Sequence, residues 1–242
     1  MNALAVILAR AGSKGLPHKN KLPVAGKPCL VWTLEHALNT PSLDRVILST
    51  DSNEMAQIGR QHGAEVVTRP YEFAHDTATV DAAARHAVTS IIGNHDAIVI
   101  LYGNVPVRPH DLTDRALRKL RESGCDSVQS VCPVGKHHPY WMKSLGGEHD
   151  DALQPYEDNA VFRRQDLPPL YQLDGGVIAV TRDRLFEIDA QDPHAFLGRD
   201  RRAITTQPGQ VIDIDEPVDR LLAEAALKLL EDDQDGVIHA AG

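Results

Sequence analysis

Four short apolar runs set the rhythm of the first half of the chain. Ala3–Leu8 has the length and composition of a buried strand, and segments 45–51, 64–70 and 97–103 repeat that signature. Between them the period changes to that of helices. Leu30, Leu34 and Leu38 recur at four-residue steps in 28–39, and Gly63 stops a second helical segment that begins at Asn53. Val80, Ala83, Ala84, Ala87, Val88 and Ile91 form one apolar stripe in 79–92. A fourth helix is expected over 111–123, with Asp111 as its cap. Strands alternating with helices at this spacing predict βαβ units, hence an α/β fold with a Rossmann-like, mostly parallel sheet flanked by helices. Such sheets bind ligands beyond the carboxyl ends of their strands.

The rhythm breaks after Cys132. Segment 135–176 is rich in Pro, Gly, His and aromatic residues and lacks a long helical period. It reads as hairpins and loops, with a small projecting β-rich element assigned to 137–169 and the α/β domain to 1–136 and 170–242. Strand character resumes in 176–186. Segment 210–233 reads as a short strand, a turn and an amphipathic helix, and the last residues, 236–242, are expected to fray. No internal repeat or low-complexity tract is visible.

With 242 residues the chain suits one α/β domain, alone or with a small appendage. Its formal net charge of -9 argues against a broad nucleic-acid-binding face. It has no apolar run of about 18 residues and no basic leader, so neither a membrane span nor a signal peptide is expected. Cys29, Cys125 and Cys132 are scattered and form no C-x-x-C pair, which suits a reducing cytoplasm better than a disulfide frame. Adjacent His137 and His138 are expected to be solvated, and Tyr140 and Trp141 to pack at a surface.

Against this acidic background one stretch stands out. Arg10, Lys14, Lys19 and Lys21, with Gly12 and Gly15, follow the first strand directly, and no carboxylate precedes Glu35. The spacing fits neither G-x-x-x-x-G-K-[ST] nor G-x-G-x-x-G. Glycines still let backbone N–H groups approach an anion, and each charge-assisted bond to phosphate contributes roughly 1.5–3 kcal/mol. A solvated basic loop is the plainer alternative. Late in the chain, Asp213 and Asp215 alternate on an expected strand, roughly 6.5–7 Å apart at Cα. Two carboxylates so placed can converge on one Mg²⁺. Equally, Asp215 or Glu216 could cap the helix that Pro217 opens.

The stretch "ILARAGSKGLPHKNKLPVAGKP" resembles the opening motif of the acylneuraminate cytidylyltransferases (CMP-sialic acid synthetases), relatives of the CMP-Kdo synthetases. "STDS", "TRP", "RRQDLP" and "DIDEPVD" continue the resemblance, in family order, over nearly the whole chain. It implies a nucleotidyltransferase fold and a reaction in which the anomeric hydroxyl of a 2-keto sugar acid attacks the α-phosphate of CTP, releasing pyrophosphate. It implies a triphosphate grip from Arg10, Ser13, Lys14 and Lys19, with Asn20, Arg69 and Thr79 near the rest of the nucleotide. Asp213 and Asp215 would hold Mg²⁺, and Arg10, Lys14, Lys19 and Asp215 would carry catalysis. Thr77, beside Thr79, is the alternative expected to cap the following helix. Tyr102, Arg108, Arg164, Gln165, Tyr171 and Asp174 would face the sugar, Arg108 having a structural ion pair as its alternative. Tyr102 and Asp174 depart from the family's glutamine and asparagine, which leaves the sugar open. The projecting element implies a homodimer. The rivals are a nucleotidyltransferase using GTP or UTP with a sugar 1-phosphate, and a non-catalytic nucleotide-binding regulator.

Overall fold

The computed structural model describes residues 1–12, 15–147 and 150–234. In chain order the strands are β1 (Ala3–Leu8), β2 (Pro23–Val24), β3 (Lys27–Pro28), β4 (Arg45–Thr50), β5 (Glu65–Thr68), β6 (Ala97–Tyr102), β7 (Ser127–Pro133), β8 (Lys143–Leu145), β9 (Leu153–Pro155), β10 (Tyr171–Thr181) and β11 (Arg201–Thr205). The helices are α1 (Cys29–Leu38), α2 (Asn53–Gln61), α3 (Val80–Thr89), α4 (Leu112–Ser123), α5 (Arg182–Leu185) and α6 (Pro217–Gln234).

Seven strands form one sheet in the order β11-β7-β10-β6-β1-β4-β5. It is mostly parallel, as the alternation of elements requires; β10 alone runs antiparallel to its neighbours β6 and β7. β1 is buried on both faces, which is why it reads as an unbroken apolar run. Its alternate residues divide between two layers. Ala5 and Ile7 join Leu30, Leu34 and Leu117, while Leu4 and Val6 join Ala84, Val88 and Leu185. Register aligns the carboxyl ends at the centre of the sheet, Leu8 lying opposite both Ser49 and Tyr102. Every loop leaving this edge therefore starts from a fixed, buried platform.

Several expectations change. Segment 211–215 forms no sheet strand; one bridge, Val107 with Ile212, ties it down. Asp111 sits at the start of α4 without a capping bond, because its carboxylate pairs with Arg115 instead. Strand character in 176–186 ends at Thr181, and a short helical turn, α5, follows. His138 is buried rather than solvated. Its Nδ1 accepts from the Tyr140 N–H, and its Nε2 lies 3.2 Å from the Pro168 carbonyl oxygen. Within 137–169 lies the two-stranded hairpin β8–β9, whose strand residues are all exposed. The expected frayed segment 236–242 lies outside the described residues.

Candidate active site

The loop after β1 turns across the carboxyl edge of the sheet, and three interactions fix its course. The Ala11 N–H donates to Asp51 Oδ1 (2.7 Å), Asn20 Nδ2 donates to the Arg10 carbonyl (3.1 Å), and the Ala9 N–H continues the ladder to Ser49. Asn20 is buried, and its Oδ1 has no hydrogen-bond partner among the described residues. A Cβ added to Gly103 would stand 2.9 Å from that oxygen and 2.9 Å from the Ala9 Cβ, so glycine alone lets the β6 end pass.

The loop cations meet carboxylates delivered by other segments. Arg10 pairs with Asp76 at 2.9 Å, Lys19 with Asp215, and Lys21 with Glu54. Gly15 lies on the aspartate segment itself: a Cβ there would come within 2.9 Å of the Asp215 carbonyl oxygen. The basic loop and the late aspartates, some 200 positions apart in sequence, thus meet at one place.

Capping does not occupy those aspartates. Asp219 Oδ2 accepts from the backbone N–H groups of both Asp215 and Glu216, closing the first turn of α6. The Asp213 and Asp215 carboxylates flank Ile214, which is fully buried among Val24, Cys29, Val107, Ala223 and Leu227. Partial desolvation, then the negative charge of Asp215, raises the pKa of Asp213 above the usual carboxylate range. A carboxylate pair under such mutual repulsion suits a divalent cation, which relieves it. Among the described residues no cluster of three or more His, Cys, Asp or Glu side chains is arranged for a metal, so an ion here would take its other ligands from water and substrate.

Arg69 and Arg108 turn away from open solvent. Arg69 donates from Nε to Ser49 Oγ (3.0 Å) and from Nη2 to the Ser49 carbonyl (2.6 Å). Burial pulls its pKa down to about 10, an effect that Asp51 partly offsets and Arg10 augments. Arg108 donates to the carbonyls of Gly176, Val105 and Tyr102 and to Thr33 Oγ1, and burial pulls its pKa down to about 9. The structural alternative expected for it was an ion pair; the partners found are backbone carbonyls and one hydroxyl.

Asp174 is engaged in a similar way. Its Oδ1 accepts from Ser130 Oγ and the Gly176 N–H, and its Oδ2 from Thr206 Oγ1. These bonds span the register shift of β10 between Leu173 and Ile178. Tyr102, half-buried at the end of β6, lies across from Gly175, 3.9 Å from where a Cβ there would stand. Thr79, and not Thr77, caps α3, accepting from the Ala82 N–H at 3.4 Å; the Thr77 hydroxyl lies 2.9 Å from His75 Nδ1.

Arg164 and Gln165 are exposed within segment 137–169, Arg164 beside Gly135, and Tyr171 is exposed at the start of β10. Among the described residues nothing bonds them to the basic loop or to the aspartates. Ser13 and Lys14 lie outside the described residues. Asp51 and Asp219 escaped the sequence reading. Asp51 lies within the "STDS" stretch and Asp219 closes "DIDEPVD", so a signal for each was present.

A family model described as Cytidylyltransferase matches residues 4–216. The CMP-N,N'-diacetyllegionaminic acid synthase of Legionella pneumophila is 29% identical over 98% of this chain and its own full length. The N-acylneuraminate cytidylyltransferase of Streptococcus agalactiae serotype V is 31% identical over 76% of this chain, which spans 44% of that longer protein. A solved CMP:2-keto-3-deoxy-manno-octonic acid synthetase complexed with CTP superimposes with a TM-score of 0.69 over 96% of this chain and all of its own, at 19% identity, a likeness of fold. With the basic loop, the aspartate segment and the sheet all inside the matched range, this chain belongs to the cytidylyltransferase family of nucleotidyltransferases.

Proposed function

We propose that the enzyme transfers a cytidylyl group from CTP to a nine-carbon or eight-carbon 2-keto-3-deoxy sugar acid, giving a CMP-sugar and pyrophosphate. One observation carries this reading: the basic loop after β1 closes on the Asp213–Asp215 segment through Lys19 and Gly15. A triphosphate laid along the loop would lie between cations and the carboxylate pair. Arg10 and Lys19 would exchange Asp76 and Asp215 for phosphate oxygens, joined by Ser13 and Lys14. Asn20, with a buried acceptor facing Gly103, Arg69 and Thr79 would line the rest of the nucleotide site.

In the proposed step, the anomeric oxygen bonds to the α-phosphorus while the bond to the bridging oxygen of the β-phosphate breaks. The departing electron pair goes to pyrophosphate, whose charge Arg10 and Lys19 neutralise. Asp215 is the proposed acceptor of the hydroxyl proton. Asp213 and Asp215 would hold Mg²⁺, which when bound supplies charge neutralisation of the triphosphate.

For the acid, the name of the Legionella relative favours a substrate with two N-acetyl groups over ordinary sialic acid. Tyr102, with ring and hydroxyl in place of an amide, is the proposed contact. Asp174 would act on the sugar side through the β10 bulge. The proposed partner is a second copy. Leu145, Leu153, Tyr156 and Phe162 expose apolar surface on the projecting segment, and Val218, Leu221, Leu222 and Leu229 do so on α6. Arg164, Gln165 and Tyr171 would then serve the partner's site, and the Arg108 network would hold the sheet edge beneath both substrates. No helix among the described residues is long and apolar enough to cross a membrane, and a cytoplasmic location fits the three buried free cysteines.

Crossing four nucleoside triphosphates with several sugar acids, with Mg²⁺ or with EDTA, tests the proposal by pyrophosphate release. Release is expected only with CTP, a 2-keto-3-deoxy acid and Mg²⁺ together. Turnover of GTP or UTP with a sugar 1-phosphate would replace this reading with another nucleotidyl transfer. CTP binding without turnover of any acid would point to a regulator.

A further inference from the structure

The aspartate segment has no sheet to set its geometry. Between the bridge at Ile212 and the first turn of α6, its backbone is gripped, among the described residues, by Asn104. The Ile214 N–H donates to the Asn104 carbonyl at 2.8 Å, and Asn104 Nδ2 donates to the Ile214 carbonyl at 3.2 Å. Both polar groups of Ile214 are thereby held by one residue. A backbone pinned at both groups cannot rotate locally, so the side chains before and after Ile214 keep their common face.

Asn104 is itself rigidly mounted. Its neighbours Tyr102 and Val105 present their carbonyls to Arg108, and Thr33 Oγ1, fully buried, donates to the same two carbonyls at 3.1 Å. The clamp thus runs from the core to the carboxylates in three steps: Arg108 and Thr33 fix the turn after β6, Asn104 fixes Ile214, and Ile214 sets Asp213 and Asp215.

We propose that Asn104 is a positioning residue for the metal-holding carboxylates, its side-chain amide setting the separation and facing of Asp213 and Asp215. This rests on the proposed reading of those aspartates as Mg²⁺ holders.

Mn²⁺ binding, followed by the EPR signal of free Mn²⁺ with CTP present and no sugar acid, separates the cases. The full-length wild type is compared with Asn104→Ala, the near-isosteric Asn104→Asp and Asp213→Asn. Loss of a residue that orients metal ligands is expected to weaken Mn²⁺ binding about tenfold or more in both Asn104 variants. Metal-free CTP binding should stay within about twofold of wild type, because the basic loop is untouched. Should Asn104→Ala fail to fold, Asn104→Asp, which keeps the shape and loses the donor, carries the test. If Asp213→Asn abolishes Mn²⁺ binding while the Asn104 variants retain it, this inference falls alone. If Asp213→Asn leaves Mn²⁺ binding unchanged, the metal reading fails and takes this one with it. Metal-free CTP affinity falling as far as Mn²⁺ affinity would also overturn the inference, by showing general damage.

Discussion

The cations of the loop after β1 and the buried arginines carry the same charge and do opposite things. Arg10, Lys19 and Lys21 are partly exposed and bind single carboxylates from other segments, at side-chain exposures of 32%, 22% and 30%. Water-accessible ion pairs of this kind contribute little to stability and exchange readily for another anion. Arg108, by contrast, satisfies three backbone carbonyls and a hydroxyl inside the protein, and Arg69 grips Ser49. On the proposed reading the first group is available to a ligand, and the second builds the platform under it. A basic residue near a site is thus assigned by its partners, and sequence position alone does not make the division.

The sharpest break of that comparison is Lys19→Ala. It is expected to lower kcat/KM by about 10²–10³, or about 3–4 kcal/mol of transition-state stabilisation, with little change in the urea midpoint. Steady-state pyrophosphate release and urea unfolding read the two halves. Arg108→Leu should act first on stability, costing about 3 kcal/mol by orphaning buried carbonyls, as measured by urea unfolding. If Arg108→Leu were to unfold at the wild-type urea concentration, the division between the two groups would not hold.

A pH-dependent effect concerns a half-buried base on α1. His36 bonds to Thr113 Oγ1 at 2.8 Å, and burial, helped by Arg108 and His110, lowers its pKa from 6.5 to about 3. Between those values the unfolded chain binds the extra proton. The stability this neutral histidine contributes is therefore complete above pH 6.5 and lost as pH falls toward 3, at up to about 1.4 kcal/mol per pH unit. His36→Gln should flatten that acid limb in urea titrations run at several pH values. The smallest change expected is Thr79→Ala, which removes the α3 cap for about 1 kcal/mol, while Thr79→Ser restores it. Thermal unfolding of the pair measures it, and a KM for CTP raised in Thr79→Ala but not in Thr79→Ser would show the hydroxyl at work on the nucleotide.

The first half of the fold was legible because β1, β4 and β6 are buried on both faces and α3 packs one clean stripe. β7 and β11 left no comparable trace. β7 mixes Ser and Gln with Val, and β11 opens with Arg201 and Arg202 at the edge of the sheet, where burial no longer dictates composition. The basic loop announced itself through charge against an acidic background, and the Asp213–Asp215 pair through its alternation. Their meeting did not, since contact between Lys19 and Asp215 is a property of the assembled sheet and of α6 packing on Val24 and Ile214. Arg108 and Asp174 show the limit from the other side. Asp174 finds Ser130, Gly176 and Thr206 across the β10 bulge, and Arg108 finds the Gly176 carbonyl there and Thr33, Tyr102 and Val105 beside it, partners that no sequence spacing brings together.

The most direct test is a crystal structure of the enzyme with CTP and Mg²⁺. The account expects Lys19 Nζ to have left Asp215 for a phosphate oxygen, with the metal held by Asp213 and Asp215 against the same triphosphate. CTP bound elsewhere, with Lys19 still on Asp215 and no ion at either aspartate, would contradict it.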